Sequence, residues 1–221
     1  MSFEWKPSID GLWKSSPYES DVTGDGFIMA GGESTIRFMA NAFITRPATA
    51  EDAPAVVALV NSAFRGESSK AGWTTEADLL DGQRTDLEAV TEMLSAPGHV
   101  ILVQATDHNL VACVHLEKTG EDCYLGMLTV LPTAQSAGLG RQMLEAGELW
   151  AIDHWASRSM HLTVVVQRVE LIAWYERHGY TRTGQRKPFP YGDERFGLPR
   201  RPDLAFEVLS KPLIASDSDR R

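Results

Sequence analysis

The sequence predicts an α/β protein: one mixed sheet with helices on its faces. Amphipathic helical stretches are interspersed with β-rich runs, and the order read along the chain is β, α, α, three β, α, β, α, β, β. That order is neither the strict alternation of a doubly wound sheet nor an internal repeat. At 221 residues with 43% apolar content, the chain has room for one domain and an appendage.

The appendage is read at residues 1–41, rich in Gly, Ser, Asp and Glu and without a sustained period, as an extension weakly ordered or draped on the rest. Met39 opens a plausible natural start, so residues 1–38 are expected to be dispensable. The domain is assigned to 42–214 and a polar tail to 215–221. Phe43 to Arg46 reads as a strand stopped by Pro47, with Thr49 and Asp52 at capping-box spacing before a helix carrying Ala53, Val56, Val57, Val60 and Phe64. A second helical stretch covers Thr75 to Ser95, broken near Gly82, with Thr85 and Glu88 as a fresh cap. Strands follow at His99 to Thr106, Leu110 to Glu117 and Tyr124 to Leu131. A helix runs from Leu139 to Ala156, a strand from His161 to Val166, and a short helix from Glu170 to His178 closed by Gly179. Strands near Tyr180 to Arg186 and Leu204 to Ser210 bracket a Pro and Gly rich loop.

Composition narrows the function. Net charge is −9, from 21 basic and 30 acidic residues, which argues against a protein that lives on a nucleic-acid backbone. No apolar run approaches the roughly 20 residues of a membrane helix, and MSFEWKPSID lacks the halves of a secretory signal, so a cytoplasmic protein is expected. Cys113 and Cys123 are too few for a disulfide framework. The six histidines form no HExxH pattern, there is no Gly-x-Ser-x-Gly elbow, and no metal site is expected.

The informative segment is GMLTVLPTAQSAGLGRQML, residues 126–144. A strand ends and Gln135, Ser136, Ala137, Gly138, Leu139, Gly140 lead straight into a helix. Unpaired backbone N–H groups and the positive end of the helix dipole therefore converge on one spot suited to phosphate, with Arg141 beside it. Taken alone, the segment is equally an ordinary strand-to-helix turn. It lacks the P-loop lysine, and a dinucleotide fingerprint would need Gly or Ala where Met143 stands.

Gln135-x-x-Gly138-x-Gly140, preceded by Leu128-Thr129-Val130-x-Pro132 and followed roughly 35 residues on by LIAWYERHGY from Leu171 to Tyr180, resembles the GNAT superfamily of acyl-CoA-dependent N-acyltransferases. The resemblance covers roughly residues 43–212. It implies a central, mostly antiparallel twisted sheet with helices on both faces, and acetyl-CoA as co-substrate. It also implies that the amides of residues 135–141 hold the pyrophosphate and that the backbone of Leu128, Thr129 and Val130 pairs with the pantetheine arm. Tyr175 aligns with a helix tyrosine placed to protonate the departing thiolate. Where many relatives carry Asn seven residues before that tyrosine, this chain has Arg168, and no cofactor contact is transferred to it.

Acyl transfer to an amine needs a neutral amine, a stabilised oxyanion and a protonated leaving thiol, because an alkyl amine has a pKa of about 10.4 and a thiol about 8.5. Tyr175 suits the acid, although Leu171, Trp174, Tyr175 and His178 also form a stripe that reads as core. Glu117 is the first candidate base, with His115 and ordered water as alternatives. Two segments, GWTTEADLLDGQRT and PFPYGDERFG, are candidate walls for a small amine carrying its own carboxylate: Trp73 and Tyr191 as surfaces, Glu76 or Glu194 near the ammonium and Arg84 near the acid. The alternative is that Trp73 and Phe196 pin these loops while the charges face water. The expected activity is acetyl transfer to the primary amine of a small molecule in a ternary complex, and the rival is a non-catalytic acyl-CoA-binding module. No nucleic acid or membrane is expected as a partner, and a homodimer is left open.

Overall fold

The computed structural model describes residues 44–106, 109–135 and 137–213. The extension proposed at 1–41, the tail at 215–221 and Ser136 lie outside the described residues. Seven strands form one sheet in the order β1-β3-β4-β5-β6-β9-β7. These are β1 (Ile44–Pro47), β3 (His99–Ala105), β4 (Leu110–Thr119), β5 (Asp122–Val130), β6 (Ser159–Val165), β7 (Thr181–Pro188) and β9 (Ala205–Pro212). A separate two-stranded ladder joins β2 (Leu80–Asp81) to β8 (Leu198–Pro199). Every neighbouring pair in the large sheet is antiparallel except β5 and β6. The mixed, mostly antiparallel sheet expected from the sequence is therefore present.

The alternation of side chains sorts the core into two layers. On one face, helix α1 (Ala53–Phe64), which is followed by the single turn α2 (Gly66–Ser69), buries Val56, Leu59, Val60 and Phe64 with Val90 of α3 (Leu87–Ser95) against Ile101, Val103 and Cys113. On the other, helix α4 (Leu139–Trp155) packs Met143, Leu144 and Ala151 against Leu102, Val114, Leu116, Leu125 and Leu162. Ile172 and Tyr175 of helix α5 (Val169–Arg177) join that second layer. Gly147 of α4 sits where a Cβ would come within 3.3 Å of Leu116, so the missing side chain lets this helix lie close on β4. Beneath it, Glu148 accepts from the Tyr180 hydroxyl (3.0 Å) and the Lys211 ammonium (2.6 Å), an ion pair with its hydrogen bonds satisfied.

Two local expectations differ from the structure. Residues 75–86 are not helical: the helix begins at Leu87, and its cap is Asp86, whose side chain accepts from Ala89 N (2.8 Å), rather than Thr85. The reason is tertiary. The Asn61 amide, from α1, accepts from Arg84 N and donates to Thr85 O, which holds this backbone out of a helix. Leu80 is drawn into a third cluster with Val165, Phe189 and Leu204. The small β2–β8 ladder, absent from the sequence reading, is the outcome.

The start of the fold is held as predicted. Thr49 N donates to Asp52 Oδ2 (2.7 Å), completing a capping box, and Arg46 clamps both carboxylate oxygens at 2.7 and 2.8 Å. Arg46 and the Thr49 N–H hold the Asp52 carboxyl well below its usual range. A depressed carboxyl stabilises the fold above its unfolded pKa of about 3.9 and loses that contribution as pH falls. Asp52→Ala is expected to lower unfolding free energy by about 0.5–2 kcal/mol at pH 7. In chemical denaturation the gap from wild type should narrow below about pH 4; an unchanged gap at pH 3 would rule out the charged clamp.

Candidate active site

The site forms where two neighbouring strands part. β5 and β6 run parallel but pair only at Cys123↔Met160 and Tyr124↔His161. Beyond Tyr124, β5 has no ladder partner on its β6 side, so backbone groups along the remaining segment to Val130 are left for another occupant. The Tyr124 hydroxyl meets Thr163 Oγ1 of β6 at 2.9 Å near the point of parting. Just past it the strand carries a bulge. His115 pairs with Gly126 but Cys113 with Thr129, so Met127 and Leu128 together face Val114. Met127 takes a φ of 51°, unfavourable for a residue with a side chain, and Thr129 Oγ1 donates to its carbonyl at 2.8 Å. The bulge reverses the facing of the strand: Leu125 lies in the α4 layer, whereas Met127 packs with α1.

The chain then turns through Pro132–Ala134 into α4. Gly138 is the N-cap residue with φ 78°, a conformation that glycine adopts without cost. The first intrahelical bond runs from Gln142 N to Gly138 O, and among the described residues no side chain caps the helix. The N–H groups of Leu139, Gly140 and Arg141 are thus free of helix partners at the positive end of a 17-residue helix. Ala137 and Gly138 are exposed. Arg141 is exposed and donates to Glu145 Oε1 (2.7 Å). Gln135 does something the sequence did not disclose. Its side chain accepts from Trp73 N (2.9 Å) and donates to Thr74 Oγ1 (2.8 Å) and Val130 O (3.1 Å). It is a cross-brace between this loop and the segment 72–74, and Gly72 has no side chain where a Cβ would collide with it at 2.6 Å.

Helix α5 brings Tyr175 to the same region. The residue is 6% exposed and in edge contact with Trp174 and Tyr180. Its hydroxyl has no hydrogen-bond partner among the described residues. Burial, and then the neighbouring Tyr124, push its pKa above the ordinary value, while Arg168 pulls the other way, so the phenol is fully protonated at neutral pH. Arg168 is not the solvent-facing arginine that its type suggests. It donates to Thr74 O (3.0 Å) and lies 3.7 Å from Glu76, with its side chain 10% exposed.

β4 supplies a polar row. His115 is buried, and Glu117 is half-buried and stands opposite Tyr124 on β5 and His99 on β3. The Glu117 carboxylate makes no hydrogen bond among the described residues. Burial, His99 and Arg84 together push the His115 pKa down to about 3, so it is neutral. His99 and Tyr124 join this row although the sequence reading passed over both.

The predicted acceptor residues divide. Arg84 is half-buried, its guanidinium 5.9 Å from the Phe64 ring centroid and without a hydrogen-bond partner among the described residues. Glu76 is not a free carboxylate: Arg65 donates to it at 2.5 Å and Arg168 flanks it, leaving it 12% exposed. Trp73 is 42% exposed and packs on Trp174 with ring centroids 6.3 Å apart. Glu194 is exposed. The Tyr191 hydroxyl serves its own loop, donating to Arg201 O (3.0 Å) and accepting from Leu204 N (2.7 Å). Both cysteines are buried free thiols, pushed up to about 12 by burial and thereby unreactive. Among the described residues there is no cluster suited to a metal ion and no helix long and apolar enough to cross a membrane.

Residues 97–182, from the start of β3 into β7, match the family model described as acetyltransferase (GNAT) domain. No protein of curated function matches the sequence. Solved structures share the fold. An N-acetyltransferase from Staphylococcus aureus Mu50 is 12% identical with a TM-score of 0.58, over 78% of this chain and 99% of that one. A nourseothricin acetyltransferase is 16% identical with a TM-score of 0.56, over 79% and 100%. The ribosomal-protein-S18-alanine N-acetyltransferase of Escherichia coli is 15% identical with a TM-score of 0.55, over 80% and 97%. The central strands, α4 and α5 thus lie inside a segment that matches the GNAT acetyltransferase domain, on a fold similar to that of these solved acetyltransferases.

Proposed function

We propose that the chain transfers an acetyl group from acetyl-CoA to the primary amine of a small molecule, by direct attack in a ternary complex. One observation carries this reading: the uncapped N-terminus of α4 lies directly downstream of a strand edge that has lost its neighbour. A ligand with an anionic head and an amide-bearing arm fits both at once. The free amides of Leu139, Gly140 and Arg141, with the exposed turn at Ala137 and Gly138 before them, hold the pyrophosphate, and the β5 edge at Leu128, Thr129 and Val130 pairs with the pantetheine amides. Gln135 serves the site as a brace through its side chain. Ser136 is carried as a contact on the resemblance alone.

The amine loses its proton to the polar row on β4, where Glu117 and neighbouring His115 are the available acceptors. Its nitrogen attacks the thioester carbon, backbone N–H groups near the bulge steady the oxyanion, and Tyr175 protonates the departing sulfur. A phenol with a raised pKa remains a proton carrier across the physiological range. The acceptor we favour bears a carboxylate, because Arg84 is a half-buried guanidinium without a partner among the described residues. Glu76 is committed to two arginines, so the ammonium is assigned to the Glu117 side of the cleft, with Trp73 as a wall and Glu194 and Tyr191 at the rim. A cytoplasmic location accords with the two free thiols.

Thiol release from acetyl-CoA across a panel of amines, amino acids and peptides tests the activity; tight CoA binding with no turnover would favour the non-catalytic module. Tyr175→Phe is expected to lower kcat about 100-fold with CoA affinity unchanged, and unchanged turnover would remove the residue from the mechanism. At Gly140 a Cβ would meet Val130 and Trp174 at ordinary contact distances of 3.6 and 3.7 Å, so a small side chain fits. Gly140→Asp should keep or raise Tm, since an acid suits a helix N-terminus, yet weaken CoA binding at least about 10-fold by calorimetry. Arg84→Gln should raise KM about 10-fold for a carboxylate-bearing acceptor and leave that for an uncharged amine alone; equal effects on both would count against the carboxylate.

A further inference from the structure

One contact in the polar row has no part in the mechanism so far. Nδ1 of His99 lies 2.9 Å from Nε2 of His115, and the two rings stack with centroids 5.1 Å apart and planes 22° from parallel. A contact of that length between two imidazole nitrogens is a hydrogen bond, with one ring donating and the other accepting. The two ends of the pair face different surroundings. Nδ1 of His115 borders the gap above Gly126, where a Cβ would lie 3.7 Å from that nitrogen and 3.2 Å from the Tyr124 ring. Gly126 is the residue just before the bulge, on the part of β5 that β6 has left. His99, the first residue of β3, is half-buried, and the chain before it is exposed at Pro97 and Gly98.

We propose that His115 and His99 form a relay that carries the proton released by the acceptor amine out to solvent. The inference rests on the amine acetyltransferase reading above. The acceptor's N–H bond breaks as its proton passes to His115 Nδ1. The proton on His115 Nε2 moves to His99 Nδ1, and the proton on His99 Nε2 leaves to water. The electron pair stays on the acceptor nitrogen and becomes its bond to the acetyl carbon. Once product has left, water admitted to the cleft removes the Nδ1 proton of His115 as the protons shift back. His115 is the catalytic residue of the pair and His99 acts through it.

The surroundings suit transfer rather than storage. Burial of His115 beside His99 and Arg84 opposes a lasting positive charge on it, so the proton is handed on. Glu117, directly across the ladder from His99 with Cβ atoms about 5 Å apart, favours positive charge at the solvent end. The charged and titratable groups around the pair are thus Arg84 from the segment before α3, Glu117 on β4 and Tyr124 on β5.

The test compares wild type with His99→Phe, using the amine that turns over best and following kcat and KM against pH. The variant should keep its KM for acetyl-CoA and lose about 10- to 100-fold in kcat at pH 7. That loss should shrink tenfold per pH unit as alkali deprotonates the amine in advance. A variant with wild-type kcat and pH profile would overturn the relay. A second measurement needs no turnover: nitrogen NMR of the full chain should find His115 protonated on Nε2 and bare on Nδ1. A proton on His115 Nδ1, with His99 donating to Nε2, would equally overturn it. A wild type that releases thiol with no amine would overturn the proposed function instead, and the tautomers then decide the relay's geometry alone.

Discussion

The parting of β5 from β6 is the constraint on which the rest of this structure depends. Two parallel strands with aligned backbones ordinarily pair along their length, because an unpaired peptide group shielded from water is costly. Here the ladder stops after Tyr124↔His161. The core explains how the strands are held apart. The bulge at Met127 turns that side chain into the α1 layer while Leu125 remains in the α4 layer, so β5 is anchored on both faces of the sheet just where it leaves its neighbour. A non-glycine residue at φ 51° carries a cost of order 1–3 kcal/mol, and it persists because the Thr129 hydroxyl and the packing of Met127 over-determine it.

The same opening explains how the surrounding elements are arranged. α4 must begin at its mouth to aim free amides there, and Gly138 supplies the left-handed turn that makes so abrupt a start possible. α5 must lie across the opening to bring Tyr175 near, and Arg168, one residue before α5, ties that helix to the carbonyls of Trp73 and Thr74. Gln135 reaches the same three-residue segment from the other side. The segment 72–74 is therefore clamped between the loop that opens α4 and helix α5.

Much of this was legible in the chain. The strand-to-helix loop with Gly138 and Gly140 and the AWYERHGY helix are local patterns whose meaning survives folding, since caps and left-handed glycines are decided within a turn. The segment 75–86 was misread because its conformation is imposed by Asn61, far away in sequence, and its helical period is overridden by burial of Leu80. The His99–His115 pair was hidden for a different reason. Extending the pairing Ala105↔Leu110 without interruption would set His99 opposite Leu116, but a register shift between Gln104 and Ala105 sets it opposite Glu117. One residue of slip moves every side chain to the other face, and nothing in the composition of the turn marks it.

Charge bears on the proposed acceptor at two ranges. The protein as a whole carries −9, which favours a cationic ligand at long range. Around Glu76 the balance reverses: Arg65 and Arg168 outnumber that single carboxylate, Nε and Nη2 of Arg65 lack partners among the described residues, and Arg84 makes no ion pair among them. A long-range negative field that draws in an ammonium, combined with these guanidinium groups, supports the proposed acceptor, a molecule that carries both signs. On that proposal, an amine without an anionic group would leave Arg84 without a counter-charge in a half-buried position, where screening by water is weakened and an unpaired charge is costly.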